Sequence, residues 1–171
     1  MKTVHLLRHA KSDWGDPGLD DHDRPLAPRG RRAAVVMGIH FAQQRYRPSL
    51  VLCSSALRTR QTLEALLPHL PGRPEVLIEE EIYLASCGRL LSRIQEIDDG
   101  QSGVLLIGHN PGIAELARTL AGSGERASLR RLATRFPTAA SAVCEFDLVR
   151  WRDLAPGSGR LLSYATPKDL I

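Results

Sequence analysis

Val104-Leu105-Leu106-Ile107-Gly108-His109-Asn110-Pro111-Gly112 holds the architecture in nine residues. The first four are uniformly apolar, as a strand buried on both faces at the centre of a parallel sheet must be. Glycine, asparagine and proline then end the strand. Pro111 opens a helix in which Ile113, Leu116, Ala117 and Leu120 recur at helical spacing.

The same alternation repeats outward from this unit. Residues 3–8 form a short apolar run that stops at Arg8-His9, and loop chemistry rich in Asp, Gly and Pro fills positions 11–28. A helix follows from about Pro28, with Ala33, Val36, Met37, His40 and Phe41 on its inner face. Residues 49–54 read as a strand, and a helix is expected from about Ser55 to Leu67. Residues 75–79 read as a third strand, and Ser86 is placed to cap a helix carrying Leu90, Leu91, Ile94 and Ile97. Residues 142–148 alternate apolar and polar, the pattern of an antiparallel strand, and residues 160–164 form a last strand candidate. Four strand–helix alternations predict an α/β fold, a three-layer sandwich around a mostly parallel central sheet. Neither a linker nor a repeat interrupts residues 1–171, so one domain is expected.

Ligands of open α/β sheets bind beyond the carboxyl ends of the strands. Arg8 and His9 follow the first strand, Ser54, Ser55 and Arg58 the second, Glu79, Glu80, Glu81 and Tyr83 the third, and Gly108-His109-Asn110 the fourth. Two histidines and two arginines on one sheet edge suit a phosphoryl group, whose charge lies on its peripheral oxygens. Arg8 and Arg58 can fork onto those oxygens, and His109 can donate to them. His9 can attack phosphorus through a neutral ring nitrogen, provided an acceptor such as a backbone carbonyl holds the other nitrogen. Ser12 is a further phosphate-contact candidate. The scheme calls for no metal and no cofactor, and no P-loop, EF-hand or H-E-x-x-H pattern is present.

Arg8-His9-Ala10 resembles the R-H-G/A motif of the histidine phosphatase superfamily, the group that includes the cofactor-dependent phosphoglycerate mutases. Ser54-Ser55-Ala56-Leu57-Arg58-Thr59-Arg60-Gln61-Thr62 resembles its S-P-x-x-R-A-x-Q-T segment, with Arg58 at the phosphate-binding arginine, and Gly108-His109-Asn110-Pro111 is similar to its second-histidine motif. The run Asp23-Arg24-Pro25-Leu26-Ala27-Pro28-Arg29-Gly30 is most similar to the SixA-type phosphohistidine phosphatases. The resemblance implies a phosphoglycerate mutase-like fold and hydrolysis through a covalent phosphohistidine. Two departures bear on the substrate. Gly15 stands where mutase-like members carry asparagine, and no sizeable insertion separates the second and third strands to build a cap. A minimal cap suits phosphohistidine on a protein; the alternatives are a broad small-molecule phosphomonoesterase and a non-catalytic phosphate- or phosphoprotein-binding module. The resemblance also implies a general acid after the third strand, Glu80 or Glu81, of which Glu81 is taken.

Composition bounds the rest. A chain of 171 residues, 43% hydrophobic and 25% charged, excludes collagen-like, disordered and disulfide-scaffold classes. The formal charge is +4, carried by 20 arginines and only three lysines. Arg126, Arg130, Arg131 and Arg135 form the one basic run; with only Phe136 for stacking, it reads as a helix rim that steers anions rather than a nucleic-acid surface. Cys53, Cys87 and Cys144 lack ligand or disulfide spacing. No segment has the apolar length of a membrane span or signal sequence. A cytoplasmic protein is expected, with neither nucleic acid nor membrane as partner. His5, His22 and His69 read as structural or solvent-facing, His40 as a core or boundary residue, and Asp20, Asp21 and Asp23 as a solvated acidic loop in which Asp23 pairs with Arg24.

Overall fold

Four parallel strands, β1 (Lys2–Arg8), β2 (Leu50–Ser54), β3 (Glu75–Glu79) and β4 (Gly103–Gly108), lie in the order β3-β2-β4-β1 in the computed structural model, which describes residues 1–171. β5 (Ala121–Gly124), β6 (Ser141–Phe146) and β7 (Gly159–Ala165) extend the sheet beyond β1 as β6-β7-β5. β6 is antiparallel to both β1 and β7, and β5 runs parallel to β7. One strand of seven therefore opposes the rest. The expected mostly parallel sheet is present, as is the antiparallel strand read from the alternation of residues 142–148.

Helices cover both faces, giving the three-layer sandwich. One core joins Ala34, Met37 and Phe41 of α1 (Pro28–Gln43) to Leu63 and Leu66 of α2 (Leu57–Leu66) and to Val51, Leu105 and Ile107 of the sheet. The other joins Leu90 and Ile94 of α3 (Cys87–Gln95), Ile113 and Leu116 of α4 (Gly112–Leu120) and Leu132 of α5 (Arg126–Thr134) to Leu52, Val104 and Leu106. Val104 through Ile107 are fully buried, because successive side chains enter opposite cores. The alignment of β1 with β4 is what positions the site. Leu7 pairs with Ile107 and Arg8 with Gly108, so His9 and His109 leave the sheet at the same level. Cys53 pairs with Ile107 on the other side of β4, which brings Ser54 to that level as well.

Three local departures have physical reasons. α1 buries Gly30, Ala34, Met37, Gly38, His40 and Phe41, while Ala33 and Val36 are only half-buried. The inner face is turned toward Gly30 and Gly38 because backbone approaches there: a Cβ on Gly30 would meet the Lys11 carbonyl oxygen at 2.1 Å. α2 begins at Leu57, not Ser55, because the Ser55 N–H is spent on the Glu79 carbonyl and Ala56 is extended. Ser86 caps α3 as expected, its hydroxyl accepting from the Arg89 N–H at 3.2 Å. The third departure is β5, which has no counterpart in the sequence reading; Ala-Gly-Ser-Gly carries no strand preference and is held by pairing with β7.

Candidate active site

His9 Nδ1 lies 2.7 Å from the Ala10 carbonyl oxygen. That carbonyl can only accept, so Nδ1 carries the ring proton and Nε2 keeps its lone pair. The carbonyl is itself fixed: the Ala10 N–H donates to Thr62 Oγ1 at 3.0 Å, and that hydroxyl donates to the Arg58 carbonyl at 2.7 Å. The His9 N–H donates to the Gly108 carbonyl at 3.0 Å. Across the ring, the Ala139 N–H reaches the carbonyls of Arg8 and His9 at 3.1 and 3.0 Å. Ala139 does so at φ 59°, a left-handed conformation that costs a non-glycine residue energy and that the surrounding bonds enforce.

His109 is buried 5.3 Å from His9, centroid to centroid. Its Nε2 lies 2.7 Å from Ser54 Oγ, while its Nδ1 is buried without a partner. When the Ser54 hydroxyl donates to Nε2, the proton sits on Nδ1, a free donor. Gly112 sets this turn, since a Cβ there would strike the Ala85 carbonyl oxygen at 2.0 Å.

Arg58 is buried and forked onto Asp21: one terminal nitrogen donates to the Asp21 carbonyl at 2.7 Å, the other to Asp21 Oδ2 at 3.0 Å. The Tyr83 hydroxyl donates to the same Oδ2, and Arg24 donates to Oδ1 at 2.9 Å. Arg24 also donates to Ser12 Oγ and lies over the Trp14 ring, 3.0 Å from its centroid. Arg8 donates to the Phe136 carbonyl at 3.1 Å and leaves its buried Nε unpartnered. Together these groups wall a cavity of about 370 Å³ that includes Arg8, His9, Ser12, Asp21, Arg58 and His109.

The protein-family model for the histidine phosphatase superfamily, branch 1, matches residues 4–83. A protein of Agrobacterium tumefaciens assigned as the phosphohistidine phosphatase SixA has a similar structure: 32% identity, TM-score 0.82, covering 97% of this chain and 98% of that one. The chain belongs to the histidine phosphatase superfamily. It is SixA-like within it. A second such structure, from Nakamurella multipartitia, matches at 29% identity and TM-score 0.80 over 97% and 96% of the two chains. An uncharacterised Mycobacterium tuberculosis protein is 37% identical over 164 residues, 95% of this chain and all of its own. The chain is thus a phosphatase hydrolase, and its fold is the phosphoglycerate mutase-like one.

Of the candidate residues in this histidine phosphatase, five converge: Arg8, His9, Ser12, Arg58 and His109. Glu81 does not. The 3-10 turn Glu80–Ile82 buries Ile82 and turns Glu81 outward, 3.7 Å from Arg89, where it lines a separate hollow of about 170 Å³. The loop reading needs correction too. Arg24 pairs with Asp21 rather than Asp23, and Asp21, read as solvated, is tied to two arginines and a tyrosine. His22, read as structural or solvent-facing, reaches Ser55 Oγ from Nε2 at 2.9 Å and stands edge-on to Tyr83 at the rim. Asn110 donates to the Phe136 carbonyl at 2.8 Å, beside Arg8.

The electrostatics follow from burial among cations. His9 is pushed from the ordinary 6.5 to about 4, chiefly by burial, then by Arg58, Arg8 and Arg24, against the Ala10 carbonyl, which raises it. His109 falls to about 3 through burial, His9 and Arg58. Asp21 is held at about 2, first by the Tyr83 hydroxyl and then by Arg58. Both rings are therefore neutral and Asp21 ionised across the neutral range. Nitrogen NMR of the imidazoles should show His9 and His109 uncharged at pH 6.

Protonation also sets acid stability. His5, buried beside Phe41 and Tyr46, is likewise lowered to about 4 by burial. The unfolded chain binds protons on these three histidines below about pH 6.5, whereas the folded chain binds them only near pH 3–4. The unfolded state thus gains protons in that window, so stability falls as pH drops from about 6.5 to about 4, by on the order of 3 kcal/mol for each group. Denaturant melts at pH 7 and pH 4.5 check this; His5→Leu should make the decline shallower, and an unchanged slope would contradict it.

Proposed function

We propose that the chain is a metal-independent phosphatase acting through a phosphorylated His9, and that its substrate is phosphohistidine carried on a protein. His9 Nε2 attacks phosphorus, and the P–N bond to the substrate imidazole breaks. The departing imidazole takes its proton from water. Arg8 and Arg58 fork onto the peripheral oxygens, His109 donates from Nδ1, and Ser12 lies against the same group. Arg58 turns from Asp21 to the phosphoryl group as it binds. A water then attacks the phosphohistidine, the P–Nε2 bond breaks, and inorganic phosphate leaves His9 neutral. His9 and His109 are held before substrate arrives, by the Ala10 carbonyl and Ser54 respectively, while Arg58 is released from Asp21 on binding.

One observation carries the choice of substrate. Asp21 is the sole carboxylate on the cavity wall, and it is held ionised at about 2. An alkyl ester leaves as an alkoxide and needs a positioned acid. A phosphoramidate leaves as imidazole and does not. The broad phosphomonoesterase reading required Glu80 or Glu81 as that acid, and neither lines the cavity; Glu81 faces Arg89 instead. The non-catalytic reading offers no use for a His9 Nε2 left with a free lone pair.

Turnover of a phosphohistidine peptide, an aryl phosphate and an alkyl phosphate tests the proposal. The expected order of kcat/KM is peptide, aryl, alkyl, with at least about 10²-fold between first and last. Glu81→Gln should alter none of the three by more than about twofold. Alkyl turnover matching the peptide, or its selective loss in Glu81→Gln, would establish the esterase instead.

A further inference from the structure

The basic run reaches further than a helix rim. Arg130, Arg131 and Arg135 line a trough of about 820 Å³ together with Arg29 of α1, Lys168 of the C-terminal helix α6 (Pro167–Leu170), and Lys11. This volume is more than twice that of the catalytic cavity, and the two share Lys11 and Thr138 as a common wall. Asp169 is the one acidic side chain in the trough, and it is occupied by Arg131 at 2.6 Å. None of the other five cations takes part in a salt bridge. Arg29, Arg130, Arg135 and Lys168 are exposed. Five like charges left unpaired in one depression repel one another and destabilise the compact state, a cost that an anionic occupant would remove.

The form of the trough selects the occupant. Its cations come from four separate elements and line a volume of about 820 Å³, larger than a single phosphate would fill. Its one aromatic ring offers no face to a base: Tyr164 is buried, with Arg131 4.9 Å from its centroid and Phe136 tilted 6.1 Å from it. Nucleotides and single strands need such a face. Ala33, Ala127, Pro137 and Pro167 supply apolar wall between the charges. An extended polypeptide with several carboxylates fits this lining, and continuity at Lys11 and Thr138 joins it to the phosphoryl group.

We propose that the trough is the docking site for an acidic segment of the substrate protein that flanks the phosphorylated histidine. The proposal rests on the phosphohistidine reading above and names the feature that selects among phosphohistidine proteins. Affinity gained this way is electrostatic, lies mainly in KM and weakens as salt rises.

The test uses two phosphohistidine peptides, one flanked by glutamates and the other by serines, with an aryl phosphate as control. Wild type is compared with the triple variant Arg130→Glu, Arg135→Glu, Lys168→Glu. Wild type should favour the acidic peptide by about 10- to 100-fold in kcat/KM at low salt, through KM. The triple variant, or about 0.5 M salt, should erase that preference and leave aryl phosphate turnover within about twofold. Equal use of both peptides by wild type would overturn the proposal, as would parallel loss of aryl phosphate turnover in the variant. Competition by an oligonucleotide but not by the unphosphorylated glutamate peptide would also overturn it. The two readings fail separately. If wild type hydrolyses neither peptide, the substrate reading falls, and anisotropy of the labelled unphosphorylated glutamate peptide still reads the trough. Binding to wild type and not to the variant supports docking; equal or absent binding rejects it.

Discussion

His9→Ala should lower kcat/KM on every substrate by at least about 10³-fold, with folding and phosphate binding intact. The loss is expected to be this large because the residue forms the covalent bond, and no neighbouring group holds a comparable lone pair. His109 is 5.3 Å away, but its Nε2 is engaged with Ser54 and its Nδ1 serves as a donor. The His9 ring's Nδ1 bond ends on Ala10, whose own N–H stays on Thr62, so the loop keeps its anchor. A thermal melt within a few degrees of wild type, together with retained phosphate binding, would separate lost chemistry from lost structure. Turnover within about tenfold of wild type would remove His9 from the nucleophile's role.

Arg58→Ala has the second largest expected effect, about 10²- to 10³-fold in kcat/KM, the usual cost of removing one donor to developing charge. Its sign on the histidines can be checked independently. Arg58 depresses both His9 and His109, so without it both should titrate at higher pH. Arg58→Lys restores the charge but not the fork that grips two oxygens at once, and should recover only part of the loss. Asp21 would keep Arg24 and Tyr83 as partners, so the loop that carries it should stay in place. If Arg58→Ala and Arg58→Lys both matched wild type, Arg58 would be a structural partner of Asp21 and nothing more.

The legible parts of this protein are those with local signatures. A run of four apolar residues ending in Gly-His-Asn-Pro announces a buried parallel strand and its turn, and the alignment of β1 with β4 then makes neighbours of His9 and His109. Arg58 was legible through its motif, and Thr62 within that motif proves to hold the Ala10 backbone. Contacts across long stretches of chain were not legible. Asp21 meets Arg58 and Tyr83, 37 and 62 residues away, and nothing in an Asp-rich loop separates the carboxylate that pairs from those that are solvated. Adjacent glutamates are not separable by residue type, and the placement of Glu81 against Arg89 follows from a 3-10 turn that buries Ile82. β5 escaped for another reason: it is glycine-rich and forms only against β7.

The central claim is that the phosphoryl group passes through His9. Rapid-quench mixing of wild type with a phosphorus-labelled phosphohistidine peptide, followed by peptide mapping, tests it most directly. A label that is stable to alkali, lost in acid, formed before phosphate release and located on His9 is the predicted result. Release of phosphate with no labelled protein at any time, or a label on any other residue, would contradict it.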